Sequence, residues 1–343
     1  MPSQSVHIEP ELRRLPLVTL YLTERCNSRC VTCDYWRHGR TDMDAARVLE
    51  LLPGLIELGT RVALISGGEP LLNPQWAEIA QLLRAHGVRL WLLTSGLSLA
   101  KHAARVAQLF DAVTVSLDGT DADTYAAIRG LNAFERVCAG IRASVAAGSE
   151  LGIRVTVQRA NFRQLPRFVM LARALGVRQL SFVAVDVANA HAFSRQDGIT
   201  PQLALNEADL PVLGEVLEEL ERVHAADFRS GLIAESPRKL RRMQQYFAAV
   251  CGRAPYPAVR CNVFEYSAVI DAAGRTHPCF FIPGPVPGPE RRAPALNSPA
   301  MRTLRAAIRS GARPECARCV CSLWREPEER ELADFLIRRY VHA

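Results

Sequence analysis

From residue 17 to residue 185 the chain repeats one unit: a short, unbroken apolar run, then a stretch whose apolar residues recur at helical spacing. The apolar runs cover 17–22, 61–66, 88–94, 112–117, 153–158 and 179–185. The helical stretches cover 43–58, 74–86, 99–110, 133–147 and 165–175. Three of them stop at Gly87, Gly148 and Gly176, where a left-handed C-cap fits. Asp42 is the expected N-cap of the first, and Pro53 is expected to kink or split it. Runs that are apolar on both faces belong in a parallel sheet covered by helices. Right-handed crossovers wind six such units into an α/β fold, a partial (β/α)6 TIM-like barrel.

In folds of this kind chemistry collects at the C-terminal ends of the strands. Four unusual segments fall there: 26–33 after the first run, 67–70 after the second, 95–96 after the third and 118–119 after the fourth. Beyond 186 the alternation stops. Residues 187–206 are polar and irregular and read as a loop or lid, and 207–224 and 235–250 read as helices. From Cys251 onward Cys, Pro and Gly dominate, and the run PGPVPGP at 283–289 excludes regular structure. The expected organisation is an N-terminal extension 1–16, a core 17–186, linking segments 187–250, a small cysteine-rich unit 251–325 and a C-terminal segment 326–343 with a helix over 328–340.

The chain has ten cysteines, unevenly placed. No apolar run reaches the roughly 18 residues a membrane helix needs, and residues 1–14 lack the basic start and apolar stretch of a secretory signal. A cytoplasmic location with no membrane partner is therefore expected, where cysteines stay reduced and clusters of them signal metal or catalysis. Cys138 stands alone in a helical pattern and reads as a buried small side chain. The net charge of +7 comes mainly from Arg scattered along helices, without the continuous basic stripe of a nucleic-acid binder. Only Arg238, Lys239, Arg241 and Arg242 form a dense basic run.

Cys26, Cys30 and Cys33 lie in the loop after the first strand. Three thiolates this close suit three irons of a cubane cluster, and a missing fourth thiolate leaves one iron open. A zinc site with His38 as fourth ligand is the competing reading of the same spacing. The segment CNSRCVTCDYW, 26–36, resembles the signature loop of the radical S-adenosylmethionine (SAM) superfamily, and Gly67-Gly68-Glu69-Pro70 resembles the motif on that family's second strand. The resemblance implies a SAM-binding 4Fe–4S cluster whose open iron is chelated by SAM. One electron then breaks a carbon–sulfur bond, and a 5′-deoxyadenosyl radical removes a substrate hydrogen. It further implies SAM contacts at Gly67, Gly68, Glu69, Pro70 and Ser95, ribose contacts at Ser116 and Asp118, and further cofactor contacts at Arg129 and Asn161. In this reading the glycines admit backbone close to SAM, and Glu69 accepts from its ammonium group.

A second set comprises Cys261, Cys279, Cys316, Cys319 and Cys321. Residues 269–278 read as a hairpin that turns at Gly274 and returns Cys279 toward Cys261. Spacing alone leaves zinc and iron–sulfur equally open. The segment resembles the SPASM and shorter Twitch extensions of radical SAM enzymes, which implies one auxiliary 4Fe–4S cluster on Cys261, Cys279, Cys316 and either Cys319 or Cys321. Cys251 is open as a ligand, a hydrogen donor to a product radical, or a buried thiol.

An auxiliary cluster gives a substrate radical an electron acceptor, so the expected reaction is oxidation of a small polar substrate of sugar, aminocyclitol or nucleoside type. A flavodoxin- or ferredoxin-type donor is the expected electron source, and Arg154, Arg241 and His191 are candidate bases by position. Because residues 1–16 alone precede the first strand, a peptide-recognition domain there is not expected. The alternatives are a peptide-modifying maturase, a redox-neutral epimerase or decarboxylase, and a non-enzymatic zinc module.

Overall fold

The computed structural model describes residues 11–189, 191–195, 201–285 and 296–326. Six strands follow one another in parallel register: β1 (Leu17–Thr23), β2 (Val62–Gly67), β3 (Arg89–Thr94), β4 (Ala112–Ser116), β5 (Leu151–Val157) and β6 (Gln179–Ala184). Helices α1 (Tyr35–His38), α2 (Ala45–Glu57), α3 (Trp76–Ala85), α4 (Leu99–Leu109), α5 (Ala122–Arg129), α6 (Phe134–Ala146) and α7 (Leu165–Ala174) fall between them. After β6 come α8 (Asp209–Val223), α9 (Ala225–Ser230) and α10 (Pro237–Val250).

The two faces of the sheet are set by the two-residue period of the strands. Val18, Leu20 and Leu22 of β1 point outward into one large core shared with the helices, together with Ala63, Ile65, Leu90, Leu92, Val113 and Val115. Leu17, Val62, Leu64, Trp91 and Ala112 point inward and form a separate apolar plug near the strand starts. Burying a Leu- or Val-sized side chain contributes about 1.5–3 kcal/mol, so the outer face supplies most of the stability. The inner face above the plug is free to be polar. Trp91 Nε1 donates to Thr114 Oγ1 at 2.9 Å there.

Three features depart from the sequence reading. The hairpin after Cys261 is β7 (Ser267–Ile270) and β8 (Thr276–His277), and β7 lies parallel to β1 with Leu17 opposite Ser267. The sheet order is β6-β5-β4-β3-β2-β1-β7-β8, so the cysteine-rich segment extends the core sheet itself. Asp44, not Asp42, caps α2, its side chain accepting from the Arg47 N–H at 2.7 Å. Asp42 is taken up by Thr23 Oγ1 and the Arg25 guanidinium. Pro53 lies inside α2 without splitting it, in a helix held by buried Leu51, Leu52 and Leu55.

Beyond β6, the Leu180 N–H donates to the Leu232 carbonyl at 2.6 Å and the Ala234 N–H to the Leu180 carbonyl at 2.9 Å, which covers that edge of the sheet. Near the chain start, Leu12 exchanges two hydrogen bonds with the side chain of Asn297, at 2.8 and 3.0 Å. Helices α11 (Pro299–Arg309) and α12 (Pro314–Ala317) complete the described elements. The helix expected over 328–340 lies outside the described residues. No described helix is long and apolar enough to cross a membrane.

Candidate active site

The loop after β1 carries Cys26, Cys30 and Cys33 and is laced to several neighbours, among them Arg195, whose side chain donates to the Thr32 carbonyl at 3.3 Å. The Thr23 and Arg25 carbonyls accept N–H bonds from Gly68 and Glu69 at 2.7 and 2.8 Å. The Arg25 side chain reaches Asp42 and the Leu72 carbonyl. The Arg29 and Val31 N–H groups donate to the Arg129 and Ile128 carbonyls at the end of α5, at 2.9 and 3.0 Å. Gly67 has φ +117°, and a Cβ there would strike the Thr23 carbonyl; at Gly68 it would strike that of Arg25. The glycines therefore admit the cysteine loop's own backbone, an adjustment of the expected close approach to SAM.

Burial dominates the thiols and pushes Cys26 up to about 11 and Cys33 up to about 12. Backbone N–H groups of Ser28 and Tyr35 face these two sulfurs and favour the thiolates. The set fits an iron cluster on its donor chemistry. Soft sulfurs held neutral by burial become thiolates when a cationic cluster supplies the missing counter-charge. Zn–S bonds of about 2.3 Å would draw three thiolates to within roughly 4 Å of one another. Among the described residues no three His, Cys, Asp or Glu side chains are drawn together for a single metal ion.

The remaining predicted contacts line the same rim. Glu69 is fully buried; it accepts from the Ser95 N–H at 2.6 Å, the Thr94 hydroxyl at 2.8 Å and the Leu71 N–H at 3.2 Å. Burial raises its pKa against those hydrogen bonds. These bonds make it a brace between the ends of β2 and β3. Pro70 opens the short turn that Glu69 caps. Ser95 Oγ donates to Asn27 Oδ1 at 3.1 Å, which links β3 to the cysteine loop. Asp118 is buried; its Oδ1 accepts from the Thr156 N–H at 2.7 Å and its Oδ2 stands 3.1 Å from Arg129 Nε. Burial raises its pKa, opposed by Arg129. Asp118 thus pairs with Arg129 at the end of β4. Arg129 itself touches Cys30 and the Ser116 carbonyl. Asn161 Nδ2 donates to the Asp118 and Thr156 carbonyls, holding the end of β5.

The second cysteine set is assembled by a clasp. The Asn262 N–H donates to the Leu323 carbonyl at 3.0 Å, and its side chain exchanges bonds with the Arg325 carbonyl and N–H at 2.8 and 2.9 Å. The clasp brings residues 316–321 beside Cys261. Cys279 is pushed up to about 12, first by burial and then by Cys261 and Cys316. Burial also raises Cys261, Cys316 and Cys319, with neighbouring cysteines adding to each. Cys321 stands next to both Cys319 and Cys261, so either Cys319 or Cys321 fits as fourth ligand. Cys251 is placed elsewhere. Its thiol donates to the Leu205 carbonyl at 3.3 Å, near Glu207, Asp209 and Arg253 in the α8–α10 layer, which gives no support to a hydrogen-donor role.

Between the two sets lies an open cleft of about 220 Å³. Its walls include Tyr21, Tyr35, Phe193, Phe280, His191 and Cys279. Asp271, Arg275 and His277 form its polar side; Arg275 Nε lies 2.6 Å and His277 Nε2 3.3 Å from Asp271 Oδ2. Tyr21 feels both Cys33 and Cys279, and its pKa is raised chiefly by burial. The sequence reading missed Tyr21, Tyr35 and Asp271. The inward phase of β1 is the signal that would have found Tyr21. Of the candidate bases, His191 lines the cleft, Arg241 pairs with Glu221 at 3.0 Å, and Arg154 sits on the inner face of β5 between Ser116 and Ser181.

A parallel partial barrel with three thiols on the loop after its first strand, braced by a Gly-Gly-Glu turn, defines an enzyme built around a cluster at the barrel mouth. The chain belongs to the radical SAM superfamily, whose members use SAM and a 4Fe–4S cluster; the family model matches residues 20–171. Pre-heme d1 synthase of Dinoroseobacter shibae is 36% identical over 169 residues, covering 47% of this chain and 41% of that protein. A probable GTP 3′,8-cyclase of Methanopyrus kandleri is 33% identical over 217 residues, covering 62% and 67%. The chain thus spans less than half the length of the first relative. Among solved structures, Streptococcus suis SuiB bound to precursor peptide SuiA shares the fold, with a TM-score of 0.62 over 87% of this chain and 67% of SuiB at 15% identity. Family membership removes the non-enzymatic zinc module as a reading of Cys26, Cys30, Cys33 and His38.

Proposed function

We propose that the chain oxidises a small polar molecule held in the cleft between its two cysteine sets, with an auxiliary 4Fe–4S cluster as electron acceptor. The observation that carries this is the position of the cleft, bounded by Tyr35, two residues past Cys33, and by Cys279. Cys26, Cys30 and Cys33 would hold the SAM cluster, and Cys261, Cys279, Cys316 and Cys319 or Cys321 the auxiliary one. In this scheme the core is 17–186, the linking segments 187–250 and the auxiliary unit 251–325. SAM on its cluster supplies a radical able to remove one hydrogen atom.

The chain's own residues account for the rest. A cluster held by Cys261, Cys279, Cys316 and Cys319 or Cys321 would supply an acceptor for one electron, and with a nearby base taking one proton the substrate would lose two hydrogens in all. His191 is the best-placed base. Its pKa is lowered by burial, then by His277 and Arg275, so the ring is neutral and able to accept at pH 7. The relatives' names refer to heme and to GTP, which supports a small molecule over a peptide, the GTP name alone pointing to a nucleoside type. A flavodoxin- or ferredoxin-type protein would deliver the electron.

Iron and sulfide per chain, measured on anaerobically purified protein, test the scheme. About eight irons are expected, falling to about four in Cys26/Cys30/Cys33→Ala and to about four in Cys261/Cys279→Ala. If Cys261/Cys279→Ala loses no iron, the acceptor is gone and oxidation is overturned in favour of a redox-neutral reaction.

A further inference from the structure

Arg129 is the one predicted cofactor contact whose side chain touches a cysteine of the first set. It closes α5, and its guanidinium is almost fully buried. Nη1 donates to Cys30 Sγ at 3.1 Å and Nη2 to the Ser116 carbonyl at 2.7 Å, while Nε lies 3.1 Å from Asp118 Oδ2 as an ion pair without hydrogen-bond alignment. Backbone holds the same register. The Arg129 carbonyl accepts from Arg29 and the Ile128 carbonyl from Val31, and Gly130, at φ +71°, packs beneath the Arg29 carbonyl. Asp118 is fixed in turn by the Thr156 N–H and by Asn161.

We propose that Arg129 tunes the potential of the SAM cluster through a charged hydrogen bond to its Cys30 ligand, and is not a contact to SAM. The proposal rests on Cys30 being a cluster ligand. Reduction of the cluster adds a negative charge. A buried cation bonded to a ligand sulfur stabilises the reduced form more than the oxidised one and so raises the midpoint potential. The low local dielectric enlarges the effect, and the Asp118 carboxylate limits it by partial neutralisation. Cys26, by contrast, receives a weaker backbone N–H from Ser28 at 3.5 Å.

The test uses the intact, iron-loaded enzyme. Arg129→Lys keeps a charge but loses the fork, and Arg129→Gln/Asp118→Asn removes both charges so that no buried carboxylate is left unpaired. The cluster whose EPR signal responds to added SAM is titrated against potential, and SAM affinity is measured separately by calorimetry. The expected result is a lower midpoint in both variants, larger in the double variant, with SAM affinity changed by less than roughly tenfold. An unchanged midpoint with SAM affinity weakened more than that would overturn the proposal and make Arg129 a SAM contact. If the double variant does not load iron, the midpoint of Arg129→Lys decides. Wild-type protein with no SAM-responsive cluster would instead sink the assignment of Cys30, a failure visible from the iron count alone.

Discussion

Thr19 of β1 and Val269 of β7 lie side by side in a parallel ladder, which joins the segment carrying the second cysteine set to the strand that leads into the first. Val269 also pairs with His277 across the hairpin, so β7 is hydrogen-bonded on both sides. Val269→Pro removes a ladder donor inside the sheet and should cost roughly 2–4 kcal/mol. Iron analysis should show loss of about half the metal, with the SAM-responsive signal retained. Equal loss from both sites would mean that the hairpin is needed for the whole core.

Asn262 clasps residues 323–325 through three hydrogen bonds. Asn262→Ala removes the two made by its side chain, at about 1–3 kcal/mol each. The knuckle bearing Cys316, Cys319 and Cys321 then loses its tether to Cys261. We expect the auxiliary iron to become labile to chelators while SAM binding stays at the wild-type level. Chelator resistance equal to wild type would assign the clasp a purely local role.

Gly67→Ala forces a β-carbon onto the Thr23 carbonyl from a backbone at φ +117°. Such a conformation costs an L-residue about 1–3 kcal/mol before any clash is counted. The cysteine loop must shift, so both iron at the first site and SAM affinity should fall, the affinity by tenfold or more. Calorimetric titration of SAM into the reconstituted variant checks this; wild-type affinity would show that the loop tolerates the displacement.

Asp271 carries a pH signature. Burial alone would raise its pKa, but His277 and Arg275, with the Arg275 N–H, hold it below the ordinary 3.8. A depressed carboxylate contributes stability that is present above its unfolded value and lost as pH falls through the folded one. Asp271→Asn should therefore destabilise metal-free protein by about 1–2 kcal/mol at pH 7, a modest figure because Arg275 is half-exposed. Urea unfolding should show the gap between wild type and variant closing as the pH drops below about 3.8. A gap that stays constant would mean the carboxylate's charge contributes nothing.

The strands were legible because runs such as LVTLYL and RVALIS are apolar on both faces, and β1 to β6 start and end within about two residues of where those runs fall. Helix α5 was not, because its eight residues include only a short apolar pattern and its start depends on the Asp121 side chain reaching the Thr124 N–H. The pairing of β7 with β1 was also hidden. Its local pattern is that of any hairpin strand, and the partner lies at the other end of the chain. At the site, the spacing of Cys26, Cys30 and Cys33 was readable, but the surroundings of Glu69 and Asp118 were not. A carboxylate on a strand end looks the same in sequence whether it faces a ligand or a neighbouring loop, and only packing distinguishes the two.

The Leu12–Asn297 and Asn262–Arg325 bonds have a consequence for synthesis. A ribosome emits the chain in sequence order, and the described bonds that lace the loop of Cys26, Cys30 and Cys33 are complete once Arg195, whose side chain donates to the Thr32 carbonyl, has emerged. The second set must wait for the chain up to Arg325, and Leu12 gains its partner only when Asn297 arrives. Metal loading would then have a built-in order in time, the ligands and braces of the first centre being in place before those of the second.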